Sequence, residues 1–313
     1  MYDFHMHSTY SDGLLPPEVL VRKAAENHLK AIAITDHNNT LTDEDWEALG
    51  RSCRGELQLV RGCEISTIYT MREGQKKEVH VVALCFDSQK VVNGAGETFR
   101  ERILRNNPDT SGYVNEIVRK LHLCGVEVPR YDELRVLYHD CRHIGRTQIA
   151  DCIVKRGYAD SLNAAFDRYI GDFGDRLAHV DALSYSHYIE FAECIQMIQA
   201  AGGIPILAHP LKYHFDEEEM ARFLNLFLQS SKPPARGIEV FYGKYTREQQ
   251  CELKEIADGY HLYYSSASDW HSRFGEKDRL MTADHLAGCD LRRHIVSCVT
   301  DVFGEPVLPG DVL

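Results

Sequence analysis

Residues 30–38 read KAIAITDHN. The apolar run from Ala31 to Ile34 has the length and composition of a short buried strand, and it ends in polar Thr35, Asp36 and His37. The segments on either side fit the same scheme. Residues 16–28, PPEVLVRKAAENH, predict a helix with proline at its start. Residues 42–51 begin with Thr42, followed three residues later by Asp45, and this loose capping pattern predicts a second helix. YDFHMHS (2–8) and LQLVRGCEIS (57–66) predict the flanking strands. Such β-α-β-α-β alternation over the first 66 residues calls for parallel strands joined by crossover helices.

Farther along, residues 67–79 predict a polar hairpin or loop, and HVVALCFD (80–87) another strand. From 96 to 185 the strand signals fade, and TFRERILRNN, YVNEIVRKLHLCG, TQIADCIVKRG and SLNAAFDRYI carry helical periodicity. Alternation returns with HYIEFAECIQMIQAAGG, IPILAHP, DEEEMARFLNLFLQ, ARGIEVFYG, TREQQCELKEIADG and YYSSASDWH. The expected architecture is an α/β barrel formed by residues 1–95 and 186–313, interrupted by a mostly helical insertion at 96–185. The chain of 313 residues, 44% hydrophobic, is large enough for this. A net charge of −12 argues against a long nucleic-acid duplex as partner. The ten cysteines include no Cys-x-x-Cys pair, and several lie in apolar runs, as buried thiols do. The start lacks a signal-peptide pattern and no apolar run reaches membrane-spanning length, so the expected location is the cytoplasm, away from membranes.

The strand ends carry the chemistry. His5 and His7, two apart on a strand, share a face, with Phe4 and Met6 expected opposite. Asp36 and His37, Glu64, His209, and Asp269 with His271 each follow an apolar strand. In parallel α/β barrels that rim is where active sites form. His80 stands at the beginning of its strand, which is the wrong rim unless the strand runs antiparallel. His143 precedes a helix in the insertion. From the residues alone, both remain undecided between ligand and ordinary histidine.

Taken in order, His5-x-His7 with Asp12-Gly13, TDH (35–37), GCEIS (62–66), His80, RHIGR (142–146), AHP (208–210) and SDWH (268–271) resemble the PHP (polymerase and histidinol phosphatase) family, in particular its stand-alone phosphoesterases. The resemblance runs from residue 3 to about 271, and departs at SASD (266–269), where GSD is commoner. It implies a distorted (β/α)7 barrel with three divalent metals at the C-terminal rim. His5, His7, Glu64 and Asp269 would hold one metal. Glu64, His80 and His143 would hold a second, and Asp12, His37 and His271 a third.

Imidazole and carboxylate donors without thiolate suit manganese, zinc or iron, and the several histidines disfavour magnesium. Manganese is the expected ion. Clustered metals lower the pKa of water and neutralise phosphoryl oxygens, so the implied activity is phosphoester hydrolysis by hydroxide attack on phosphorus. His209 is the expected general acid and substrate contact, with one more metal ligand or an orienting residue as the alternative, and Asp36 is an expected orienting partner for an imidazole. Arg146 would clamp phosphate, and Arg105, with Arg102 and Asn106, would reach substrate from a helical lid. Tyr213, His214 and Tyr245 are either packing residues or a stacking surface for a base. The expected substrate is a nucleotide phosphate, a nucleoside 3′,5′-bisphosphate or a cyclic sugar phosphate. A short-oligonucleotide 5′-3′ exonuclease and a histidinol phosphatase are the alternatives. A different class, the amidohydrolases, also begins with His-x-His but commonly bridges its metals with a strand-borne lysine, where this chain has Glu64. A binding module without activity would be expected to have lost ligand positions or to be fused to a polymerase.

Overall fold

The computed structural model describes residues 2–53, 57–107, 109–171 and 176–271. β1 (Tyr2–Met6), β2 (Ala31–Ile34) and β3 (Gln58–Thr70) pair in parallel, with α1 (Pro17–Glu26) and α2 (Asp43–Ser52) as crossovers. The α2 cap forms as read, with the Asp45 N–H donating to Thr42 Oγ1 at 3.1 Å. The segment 67–79 is a hairpin whose arms are the end of β3 and the beginning of β4 (Lys76–Leu84).

β4 runs antiparallel to both of its neighbours, β3 and a later strand. That reversal brings its early residue His80 opposite Ser66, two residues past Glu64, and so to the same rim as the other strand ends. After β4 come α3 (Phe99–Leu104), α4 (Thr110–Leu123), α5 (Tyr131–Leu137), α6 (Arg146–Lys155) and α7 (Leu162–Ala165). The sequence pattern did not foresee α5, and the single helix expected from SLNAAFDRYI divides into α7 and a π turn at Phe166–Ile170. The chain returns to the barrel through β5 (Ile189–Glu190), α8 (Phe191–Ala200), β6 (Ile204–Leu207), α9 (Glu217–Ser230), β7 (Gly237–Tyr242), α10 (Arg247–Tyr260) and β8 (Tyr263–Ala267).

Seven strands lie in the order β1-β2-β3-β4-β6-β7-β8, and β5 pairs with β3 off this path. The ring nearly closes after β8. There the His7 N–H donates to the Trp270 carbonyl, and the Asp269 N–H to the His5 carbonyl, each at 2.9 Å. Phe4, Ala31, Ala33, Val60, Val82, Leu84, Ile204 and Ile206 come from successive strands and fill the interior. Met6, Ile32 and Ile34 pack outward with Leu20 and Val21 of α1. Phe4 therefore does not share the side of Met6, as strict alternation predicts. The β1 register slips between Asp3 and Met6, and this extra residue lets Phe4, His5 and His7 all face inward.

The insertion has its own apolar cluster, built on Val114, Ile117, Val118 and Leu121 of α4 with Ile149 and Ile153 of α6. Phe99 and Ile103 of α3 belong instead to the barrel's packing, with the Phe99 ring tilted against Phe86 at a centroid distance of 4.4 Å. Among the described residues no helix is long and apolar enough to cross a membrane. The stretch beyond 271, assigned by sequence to the barrel, lies outside the described residues.

Candidate metal centre

Glu64, near the middle of β3, is fully buried and is the hub of the site. Its Oε2 stands 3.1 Å from His5 Nε2, 3.2 Å from His7 Nε2 and 3.1 Å from His37 Nδ1. Its Oε1 meets His80 Nδ1 at 2.8 Å and His209 Nε2 at 3.0 Å. Asp269 Oδ1 completes a first group, 3.7 Å from His5 Nε2 and 3.4 Å from His7 Nε2. A tetrahedral ion with ligands at about 2.1 Å has ligand-to-ligand edges of about 3.4 Å, so this group matches the shape of a metal shell.

Asp12 anchors another group. Its Oδ1 lies 3.3 Å from His271 Nε2 and 3.8 Å from both His37 Nε2 and His7 Nδ1. Asp12 Oδ1, Glu64 Oε2 and His37 Nδ1 are buried atoms without a hydrogen-bond partner, although Glu64 Oε2 and His37 Nδ1 lie 3.1 Å apart and Asp12 Oδ1 lies 3.3 Å from His271 Nε2. Buried polar atoms are rarely left so, and divalent cations would satisfy them. The His/Asp/Glu groups His5-His7-Glu64-Asp269, His37-Glu64-His80 and His7-Asp12-His37-His271 each bring their ligand atoms within 4.8 Å of one another.

The electrostatics are those of a tight mixed-charge cluster. Burial works against charge on Glu64 and Asp12, yet the surrounding imidazoles hold both carboxyls well below the usual range. Burial also opposes charge on His7 and His80, but the carboxylates beside them raise these imidazoles to about 9 and about 10. His37 goes the other way, pushed well down by burial despite the nearby Glu64.

Local structure explains how these residues reach the rim. The Asp12-Gly13 turn folds back on the end of β1, and the Gly13 N–H donates to the Ser8 carbonyl at 3.0 Å. A Cβ at Gly13 would fall 2.3 Å from the His7 carbonyl oxygen, so only glycine fits this turn. Asp36 accepts hydrogen bonds from the Ser8 N–H at 2.8 Å and from the Ser8 and Ser11 hydroxyls at 2.6 Å each. The expected contact from Asp36 to an imidazole is replaced by this grip on the loop 8–13, with Ser11 Oγ as the intermediary 3.4 Å from His7 Nδ1. Asp269, in the left-handed region at φ 51°, is held by the Tyr242 hydroxyl at 2.6 Å and by Lys212 Nζ at 3.2 Å.

Other expected residues are placed differently. His209, expected as a general acid, is buried; its Nε2 faces Glu64, and burial pushes it down to about 3. His209, which the resemblance left without a metal, is an additional imidazole beside Glu64 and stands next to His80. His143 lines a smaller cavity of about 110 Å³ with Asp12, His37, His80 and Arg146.

Arg105 does not reach the site, because its guanidinium pairs with Glu97 at 2.7 Å and is largely exposed. Arg102 approaches Glu193 at 3.6 Å. Asn106 is a buried staple, donating to Asn38 Oδ1 and the Ser66 carbonyl at 2.7 Å each. Tyr213 and Tyr245 are packing residues whose hydroxyls accept the His80 and Leu211 N–H groups. Over the cluster opens a cavity of about 530 Å³ whose wall includes Arg146, Arg176, Lys212 and Lys244.

The model of the PHP domain matches residues 3–204, well over half of the chain. The chain belongs to the PHP domain family. Its PHP relatives include the Salmonella typhimurium 5′-3′ exoribonuclease Rnm, 27% identical over 87% of this chain and 85% of the relative. A 5′-3′ exoribonuclease of Haemophilus influenzae is 29% identical over 86% of this chain and 89% of its own. A 3′,5′-nucleoside bisphosphate phosphatase of Chromobacterium violaceum is 26% identical over 86% of this chain and 87% of its own.

Among solved structures, a Bifidobacterium adolescentis protein described as a metal-dependent phosphoesterase superposes with a TM-score of 0.69 at 22% identity, covering 97% of this chain and 98% of that one. A C. violaceum protein described as an amidohydrolase, with bound sulfate, superposes with a TM-score of 0.70 at 24% identity, covering 86% and 87%. These likenesses establish the shared barrel. Two residues of this PHP site escape a reading of strand ends. Glu78 meets His80 Nε2 at 3.1 Å, and Glu239 meets His5 Nδ1 at 2.6 Å. The only signal for Glu239 was a carboxylate inside the otherwise apolar run GIEVFY.

Proposed function

We propose that the chain is a metal-dependent phosphoric ester hydrolase acting on small nucleotide-like esters: a nucleotide phosphate, a nucleoside 3′,5′-bisphosphate or a cyclic sugar phosphate. The observation that carries this reading is Glu64, a buried carboxylate ringed by five imidazole nitrogens, with an unsatisfied oxygen, below a cavity with a basic wall. His5, His7, Glu64 and Asp269 would hold one divalent ion. Glu64, His80 and His209 would hold a second, and Asp12, His37 and His271 a third, with manganese the expected metal and zinc or iron the alternatives. Such ions supply hydroxide near neutral pH and neutralise charge on phosphoryl oxygens.

The protein's own groups do the rest. Arg146, Arg176, Lys212 and Lys244 draw an anionic substrate into the cavity and orient its phosphate, despite the acidic total. Asp36 holds the loop that presents Asp12. His143 faces the smaller cavity, where it would meet the part of the substrate that leaves. A cytoplasmic location belongs to the same proposal.

The names of the Salmonella and Haemophilus relatives favour a second reading, 5′-3′ exonuclease action on short RNA. One experiment separates the possibilities. Manganese-loaded protein is screened for phosphate or nucleotide release from mononucleotides, 3′,5′-bisphosphates, cyclic sugar phosphates, histidinol phosphate and short oligoribonucleotides, and for hydrolysis of amide and lactone substrates alongside. Turnover of a nucleotide ester is expected. Turnover of an amide or lactone with none of any phosphate ester would overturn the proposal.

A further inference from the structure

Glu239 occupies the middle of β7 and is completely buried. A buried carboxylate is costly unless both oxygens are matched by donors. Ile238 and Val240 on either side join an apolar cluster, while Glu239 turns toward the metal centre. The β7 register slips directly after it, between Glu239 and Phe241. Its two oxygens have separate partners. Oε1 meets His5 Nδ1, and Oε2 accepts the backbone N–H of His209, both at 2.6 Å.

Each contact has a consequence at Glu64. An imidazole that donates its Nδ1–H to a carboxylate presents Nε2 as a lone pair. His5 Nε2 is the atom that stands 3.1 Å from Glu64 Oε2. His209 sits at φ 30°, ψ 54°, a left-handed conformation that a non-glycine residue keeps only when its surroundings hold it. The bond to Glu239 on its N–H, with the Lys212 N–H on its carbonyl at 2.9 Å, holds it there and sends Nε2 to Glu64 Oε1.

We propose that Glu239 is a positioning residue of the metal centre. One carboxylate fixes the tautomer of His5 and the backbone of His209, and so aligns two ligands that approach opposite oxygens of Glu64. The proposal rests on the metal-binding reading above. Glutamine cannot replace Glu239 in this role, because both partners donate. A side-chain amide has one accepting oxygen and would face the second donor with its own NH2 group.

The test compares Glu239→Gln with Glu219→Gln. Glu219 is also buried, but it bonds to the Tyr69 hydroxyl and lies outside the cluster. Zinc affinity of each purified protein is measured by chelator competition, and the His209 amide resonance is followed by NMR without metal. Glu239→Gln is expected to weaken zinc binding about 10- to 100-fold and to shift the His209 amide. Glu219→Gln is expected to keep wild-type zinc affinity whatever its stability. Wild-type affinity in Glu239→Gln, or an equal loss in both variants, would overturn the proposal while leaving the metal reading intact. A wild-type protein that binds no zinc, manganese or iron would overturn the metal reading and this proposal with it.

Discussion

The barrel rim and the helical insertion both carry residues that suggest chemistry, but the structure gathers them unequally. At the rim, His5, His7, His37, Glu64, His80, His209, Asp269 and His271 come from strands or strand ends and converge within hydrogen-bonding or near-bonding distance. In the insertion, Arg105 pairs with Glu97, and Asn106 is consumed as a staple. His143 and Arg146 line cavity walls beside the rim. A strand in a sheet fixes both the direction and the height of its side chains. A helix in an insertion fixes the direction relative to its own axis only, and its placement over the barrel depends on packing that periodicity does not encode.

The contrast can be broken by substitution, and the largest effect is expected at the hub. Glu64→Gln should lower kcat/KM by at least about 100-fold, because even outer partners of metal ligands cost 10- to 100-fold. Steady-state kinetics on whichever ester the screen identifies provide the check. A variant with near wild-type activity would mean that the rim cluster is not the reaction site.

A smaller effect, on stability, is expected at Asn106. Asn106→Ala removes the buried acceptor of the Ile189 N–H and the amide that donates to Asn38 Oδ1 and the Ser66 carbonyl, and should cost about 1–3 kcal/mol in denaturant unfolding. Metal content should be retained; a loss of metal with unchanged stability would move Asn106 from staple to site. The least effect belongs to Arg105→Ala. An exposed ion pair contributes little, so stability should stay within about 0.5 kcal/mol and KM should be unchanged. A marked rise in KM would restore Arg105 as a substrate contact.

The fold was legible where periodicity was strong. KAIAITDHN, LQLVRGCEIS and IPILAHP mark parallel strands, and the polar residues that end them mark the rim. His80 became intelligible only through the antiparallel course of β4, which depends on pairing between distant segments. The β1 slip that turns Phe4 and His5 to one side is a matter of register, and a linear sequence shows no bulge. Glu239 was passed over because a single carboxylate within a strand looks like an interruption until its two donors are in place. The closeness of His209 to Glu64 was not legible, because motif order along the chain does not say which histidine lies nearer to that carboxylate.

The choice between His209 and His143 leads to the most direct test of the central claim, that the rim strands rather than the insertion build a multinuclear metal centre. Wild-type protein, His209→Asn and His143→Asn are loaded with manganese, freed of excess ion and analysed for bound metal. The account predicts a multinuclear complement in the wild type, the same complement in His143→Asn and one ion fewer in His209→Asn. A wild type without bound metal, or a loss confined to His143→Asn, would contradict it.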